Sequence, residues 1–472
     1  MHFHSFAFAV FLAVTVPVYF LLPLFLRPTW LVVTSYYFYM YVHPQFGWLL
    51  LACTIIAYLA GLALEHWHQR WLRRTILALA LGLNLGLLCY FKYGDLLVQS
   101  LNQVASTDFS ALHLMLPVGI SFFTFQALSY CLDVYWKRFP AERRLDVFAA
   151  YKAFFPQLVA GPIERPANVI PQLKMLHRFD WDHASSGLQL MLWGFFKKLV
   201  IADRLAVLVK EVYAAPHHHS GLQLLLATYA FAFQIFCDFS AYTDMARGCG
   251  RILGIELMEN FRAPYHARSI AEFWNRWHIS LSTWFRDYLY IPLGGNRVQW
   301  LRWQFNLLLV FVVSGIWHGA DWKFAIWGLL HATYFIAGNL LARCPQPAWL
   351  LRLPNGLTNV CSVFITFHLV VLAWVFFRAD SVEQAFAILG RIFQDPLQRP
   401  LLTSSFGLRE ALIAAGGIIL LEAVHLLHRR RNARVFVATR PLWVRWPAYY
   451  ALILLVVVFG KQGPQEFIYF QF

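Results

Sequence analysis

Two histidines in polar stretches of an otherwise apolar chain are the side chains best suited to do chemistry. His278 lies in the middle of RSIAEFWNRWHISLSTWFRDYLYIPLGGNR, residues 268–297. His318 lies in SGIWHGADWKFAIW, residues 314–327, where it ends an uncharged run from near Asn306 and is followed at once by Gly319. An imidazole titrates near pH 6.5, so it can take or give a proton at neutral pH. A helix that stops at His–Gly puts the ring at a backbone break, where a substrate can come close. Irregular backbone at membrane depth is tolerated only where it lines a cavity or is covered by protein. Taken alone, each histidine has a second reading. His278 fits a hydrogen-bonded core residue, and His318 fits an interfacial residue in an aromatic belt with Trp317 and Trp322.

The surrounding residues support a lined polar cavity. Phe273, Trp277, Leu281, Trp284 and Tyr288 recur at three- and four-residue steps, one apolar face of a helix. Glu272 and Arg276 are placed for an i,i+4 ion pair. This stretch is too charged to cross lipid alone and reads as a helix at the interface or dipping into a cavity. A turn at Pro292, Gly294, Gly295 and Asn296 closes it. Asp238, Ser240, Tyr242, Thr243 and Asp244 form another polar island, with Arg247, Arg276 or Arg286 as partners for the two carboxylates. Ser121, Thr124, Gln126, Ser129 and Asp133 punctuate a further apolar run. Residues 156–172 hold four prolines and one glycine and read as a constrained loop rather than a crossing. His217, His218 and His219 are consecutive, so they cannot easily face one ion, and they read as a solvated loop. There is no Walker A loop, GxSxG elbow or HExxH. The residues alone leave two classes open: an enzyme doing acid–base chemistry, or a transporter with intramembrane proton sites.

The elements that must position these groups are membrane helices. The 472 residues are 59% hydrophobic and 13% charged, with mean hydropathy +0.53, whereas soluble domains carry about 25% charge. Ser5–Leu26, Phe46–Leu64 and Thr75–Phe91 contain no charge, and each suits the roughly 17–25 residues of a spanning helix. The alternating segments of a barrel are absent from the pattern. Segments at 5–26, 28–42, 46–64, 75–91, 114–134, 147–160, 186–206, 221–246, 304–317, 323–341, 357–377, 407–427 and 445–460 predict about eleven crossings, the shorter ones entering without crossing. The first segment has no Lys or Arg before it and no cleavage pattern after it, so it reads as a retained span. The seven cysteines show no CxxC or other metal spacing and read as small core residues. The net charge of +15 marks cytoplasmic loops rather than nucleic-acid binding. Clusters at 70–74, 137–144 and 429–440 then lie in the cytoplasm, while loops 93–113 and 379–406 and both termini lie outside. Residues 1–472 form one membrane domain, with the chemistry concentrated at about 115–345.

The two histidine stretches, FWNRWHISLSTWFRDYLYIPLGGNR and SGIWHGADWKFAIWGLLHA, resemble the membrane-bound O-acyltransferase (MBOAT) superfamily. They are most similar to its bacterial polysaccharide branch, typified by the alginate O-acetyltransferase membrane subunit. LPVGISFFTFQALSYCLDVY, FFPQLVAGPIERP, FQIFCDFSAYTDMARG, MENFRAPY and the ending FIYFQF carry the same resemblance, which runs nearly end to end.

The resemblance implies an all-α polytopic fold: about eleven transmembrane helices with re-entrant or interfacial helices around a central funnel. It maps His318 onto the catalytic position and His278 onto a supporting or second catalytic position. It implies cytoplasmic acetyl-CoA as the donor, with no bound cofactor or metal. The acceptor is an exported polysaccharide such as alginate or cellulose, reached directly or through periplasmic acetyltransferase partners beside a polysaccharide synthase complex. The location is then the bacterial inner membrane. A thioester is already activated, so a histidine general base that takes the proton of a hydroxyl suffices. Asn275, Arg286, Asp287, Asn296 and Trp317 are the expected substrate contacts. The D-alanyl-transfer branch, which modifies teichoic acid from a carrier-protein thioester, shares both motifs. It and a non-catalytic export scaffold are the alternatives.

Overall fold

The computed structural model describes residues 1–159, 161–345, 353–394, 403–430, 436–437, 439–461 and 467–468. Among them every regular element is helical, as backbone in hydrocarbon requires when each N–H and C=O must bond within its own segment. Arg431, Arg434, residues 395–402 and most of the FIYFQF ending lie outside the described residues, and the expected 379–406 loop is helical over Val382–Gln394.

The residues group into two compact, interleaved units. The first comprises Met1–Met191, Tyr242–Glu259 and Arg286–Tyr288. It holds α1 (Phe6–Leu21), α2 (Arg27–Met40), α3 (Gly47–His66), α4 (Arg70–Ala105), α5 (Ile120–Tyr135), α6 (Leu145–Ala153), α7 (Phe155–Leu158), α8 (Pro166–Lys174) and most of α9 (Trp181–Phe195). Leu49, Leu50, Cys53, Ile120, Phe123 and Leu158 make its apolar core. Charges inside it are anchored to backbone carbonyls. Lys152 donates to the Phe123 carbonyl, and the Arg27 guanidinium donates to Leu22 at 3.0 Å, His177 at 2.5 Å and Phe20 at 3.2 Å.

The second unit comprises Leu192–Ala241, Asn260–Phe285 and Leu289–Phe472. It holds α10 (Asp203–Ala214), most of α11 (Gly221–Ile252), α12 (Ile270–Trp274), α13 (Ile279–Phe285), α14 (Trp300–His318), α15 (Trp322–Leu341), α16 (Asn355–Arg378), α17 (Val382–Gln394), α18 (Leu408–Arg430) and α19 (Leu442–Phe459). α14 packs along α15, and α15 along α16.

Eight helices among the described residues, 18 to 36 residues long, are long and apolar enough to cross a membrane. In α19 no residue is buried, although the helix is rich in Leu, Val and aromatic side chains. Water does not tolerate so much bare apolar surface, whereas lipid does. The chain is thus a multi-pass membrane protein.

Several boundaries differ from the expected ones. The 93–113 loop is half helix, because α4 continues to Ala105 over 36 residues, about 54 Å at 1.5 Å per residue. Segment 114–134 is cut by Gly119 at φ 76°, leaving α5 at 16 residues. Segment 147–160 breaks between α6 and α7 at Phe154. Cys53, Cys131, Cys237 and Cys249 are buried as expected, but Cys89, Cys344 and Cys361 lie on the protein surface.

Candidate active site

The expected single helix across residues 268–297 is broken, and the break falls at His278. Ser269 caps α12 by accepting from Glu272 N at 3.1 Å. The Glu272 carboxylate takes Arg276 Nη2 at 2.6 Å, as the i,i+4 spacing predicted. α12 nevertheless stops at Trp274. His278 follows in the left-handed region at φ 43°, which costs a non-glycine residue on the order of 1–3 kcal/mol and persists only where the surroundings impose it. Those surroundings are visible. Ile279 N donates to the Asn260 carbonyl at 3.0 Å, and Ser280 N donates to Asn260 Oδ1 at 3.1 Å. The His278 carbonyl accepts from Leu281 N and Ser282 N at 3.0 and 2.9 Å, starting α13. Phe273, Trp277, Leu281 and Trp284 of the expected apolar face are buried, while Tyr288 is half-buried and donates its hydroxyl to Asp133 Oδ2 at 2.8 Å.

His318 ends α14 as the His–Gly pair predicted, and Gly319 is extended at φ −161°. Space, not torsion, demands glycine here. A Cβ on Gly319 would lie 2.0 Å from Phe324 Cε2, and one on Gly315 would lie 2.2 Å from the Phe324 carbonyl oxygen. Gly315, with Gly328 against the Phe311 carbonyl oxygen, lets α14 and α15 approach backbone to backbone, whereas Gly319 makes room for the Phe324 ring. Asp321 then restarts the chain, capping α15 by accepting from Lys323 N at 2.9 Å.

The two imidazoles meet in an aromatic box. Their ring centroids are 6.4 Å apart at 55°. The Trp317 ring lies 6.0 Å from His278 and 4.9 Å from His318. Phe239 meets His278 edge-on at 4.6 Å, while Trp327 and Phe377 meet His318 at 5.0 and 5.4 Å. His278 is fully buried and His318 only 3% exposed. Burial pushes the His278 imidazole well below its ordinary value, because the apolar surroundings disfavour the charged ring, so it stays neutral and is a weaker base than a free imidazole. An imidazole can act as a general base toward a hydroxyl that reaches it.

Of the expected substrate contacts, Trp317 is in this box. Asn275 and Asn296 are exposed. Arg286 Nε pairs with Asp287 Oδ1 at 2.8 Å, and both belong to the first unit. Asp244 pairs with Arg247 at 3.8 Å, as expected. Asp238 takes a different cation: Lys198 Nζ lies 2.8 Å from it and 2.9 Å from Asp203. Its other oxygen accepts from Ile468 N at 2.8 Å, and Phe467 packs 5.9 Å from Phe239. Lys197 donates to Ser240 at 2.8 Å. This buried network escaped the sequence reading. Its signal was there in the paired lysines of GFFKKLV, since an ammonium inside an apolar run needs a carboxylate.

Residues 144–378, which include both histidines, match the membrane-bound O-acyltransferase family. The chain is 36% identical to a probable alginate O-acetylase of Pseudomonas putida, with 98% of each protein covered. It is 36% identical to a peptidoglycan O-acetyltransferase of Helicobacter pylori over 78% of this chain and 73% of that one. A teichoic acid D-alanyltransferase of Bacillus subtilis is 30% identical over 55% of this chain and 68% of its own length. Sequence kinship across nearly the whole length decides the family: this chain is an acyltransferase of the membrane-bound O-acyltransferase family.

Proposed function

We propose that the chain O-acetylates an exported polysaccharide, taking acetyl from acetyl-CoA on the cytoplasmic side of the bacterial inner membrane. The observation that carries this reading is the His278–His318 pair, buried among aromatic rings at a helix end. His318 is the general base: it takes the acceptor hydroxyl proton as oxygen attacks the thioester carbonyl, and the coenzyme A thiolate leaves and is protonated. His278, neutral in its buried turn, supports that ring, and Trp317 closes one side. Arg286, Asp287, Asn275 and Asn296 contact the donor or acceptor from more exposed positions. The acceptor is the polymer itself or a periplasmic acetyltransferase working beside the polysaccharide synthase. Both chain termini lie in the periplasm.

Transfer of D-alanine from a carrier-protein thioester is the second reading, favoured only by the shorter match to the Bacillus subtilis enzyme. Proteoliposomes holding the chain separate the two. Supplied with labelled acetyl-CoA outside and an acceptor oligosaccharide, wild type is expected to release coenzyme A and His318→Ala is not. Release that needs D-alanyl carrier protein instead would overturn the acetyl reading.

A further inference from the structure

A second cluster of ligand-type side chains lies in the same unit on other elements. His266 ends the 3-10 turn Pro264–His266, while Glu422 and His425 stand one helical turn apart on α18. His266 Nε2 is 2.5 Å from Glu422 Oε2, and His425 Nδ1 is 3.4 Å from Glu422 Oε1. The two imidazoles are nearly perpendicular, with centroids 5.9 Å apart at 87°. One ligand atom from each residue lies within 4.8 Å of the other two. Donors on a tetrahedral ion with bonds of about 2.0–2.1 Å stand roughly 3.3 Å apart, so side-chain rotations suffice to close the set. The groups are half-buried, and the Phe236 ring lies 5.6 Å from His425, tilted at 59°, as an apolar wall.

We propose that His266, Glu422 and His425 bind a borderline divalent metal ion of the zinc class. Two imidazoles and one carboxylate are the donor set such ions prefer over the all-oxygen shells of magnesium or calcium. Glu-x-x-His on a helix presents both groups to one side. Coordination uses the neutral imidazoles and the carboxylate. His266 gives up its hydrogen bond to Glu422 and carries its proton on the other ring nitrogen. Water takes the fourth position. The ion ties α18 to the segment that continues through α12 into the strained turn at His278, so it acts as a structural clamp on one wall of the active site.

The test uses the full chain in detergent, with any affinity tag removed and metal stripped by a chelator. Cobalt(II) is the probe, read by visible absorption, with zinc content measured after dialysis. One equivalent per chain is expected, with a higher thermal midpoint when metal is bound. His266→Ala and His425→Ala should weaken binding at least a hundredfold, and Glu422→Gln at least tenfold. The triple change His217→Ala, His218→Ala, His219→Ala should leave it intact. Wild type that binds no cobalt, or binding that survives both single histidine changes, would overturn the site. The wild-type stoichiometry stands whether or not a variant folds.

Discussion

The rings of His278 and His318 lie 6.4 Å apart, one held in a left-handed turn and the other at the end of a membrane helix. Neither position is an ordinary place for a side chain. The turn is strained, and the helix end depends on a glycine that no larger residue can replace without a clash. Two independent local irregularities thus converge on one pair of imidazoles, which is how a pre-organised site differs from a packed core.

The turn predicts how His278 variants behave. Asparagine tolerates the left-handed region better than most residues, so His278→Asn should keep the thermal midpoint within a few degrees. Acyl transfer should still fall at least severalfold, because the ring that supports His318 is gone. Full activity in a stably folded His278→Asn would assign the residue to structure alone.

Gly319→Ala should be costly. Its methyl group would sit 2.0 Å from the Phe324 ring, and overpacking of this kind costs about 1–3 kcal/mol. A lower thermal midpoint in detergent and reduced transfer are expected, and Phe324→Leu should partly rescue both by vacating the clash. An unchanged midpoint would mean that the Phe324 ring swings aside without cost.

Much of this site was legible in the sequence because its signals are local. The His–Gly break at the end of α14, the Glu272–Arg276 pair and the Pro–Gly–Gly–Asn turn are each set by residues a few positions apart. The apolar face of residues 273–284 was legible too, yet the helix that should carry it is split. Periodicity reports burial, not continuity, and the bonds to Asn260 that hold the turn open come from outside the stretch. The Lys198–Asp203–Asp238 network and the rings of Trp327 and Phe377 around His318 depend on tertiary contact, which spacing does not encode. The reach of α4 to Ala105 was missed because Lys92 and Asp95 look like a loop boundary when only charge is read.

The buried lysine network gives a stability prediction. Lys198 sits between Asp203 and Asp238, so Lys198→Met leaves two carboxylates facing each other without their cation. Removing one partner of a buried charge group costs about 3–5 kcal/mol. Lower yield and a lower thermal midpoint are expected, with partial recovery in Lys198→Met combined with Asp238→Asn. Additive losses in the double variant would contradict a coupled network.

A pH dependence should come from the GPIERP loop. Glu164 is buried, bonded to Asn168 Nδ2 at 2.7 Å and to Met258 N. Burial pushes its carboxyl up from 4.5 to about 7. The folded chain therefore holds this proton more tightly than the unfolded chain. The group's stabilisation is complete below pH 4.5, is lost as pH rises toward 7, and changes little above that. Glu164→Gln, which mimics the protonated carboxyl, should match wild type at the acid end of that window and become the more stable of the two as pH rises through it. Parallel curves would show that Glu164 does not titrate there.

The most direct test of the account is the acetyl content of secreted polysaccharide from cells carrying wild type, His318→Ala or His278→Ala at matched membrane levels. Acetyl should fall to background with His318→Ala, and at least severalfold with His278→Ala, at normal polymer yield. Normal acetylation with His318→Ala would contradict a catalytic histidine at the end of α14, and loss of the polymer itself would point to an export role.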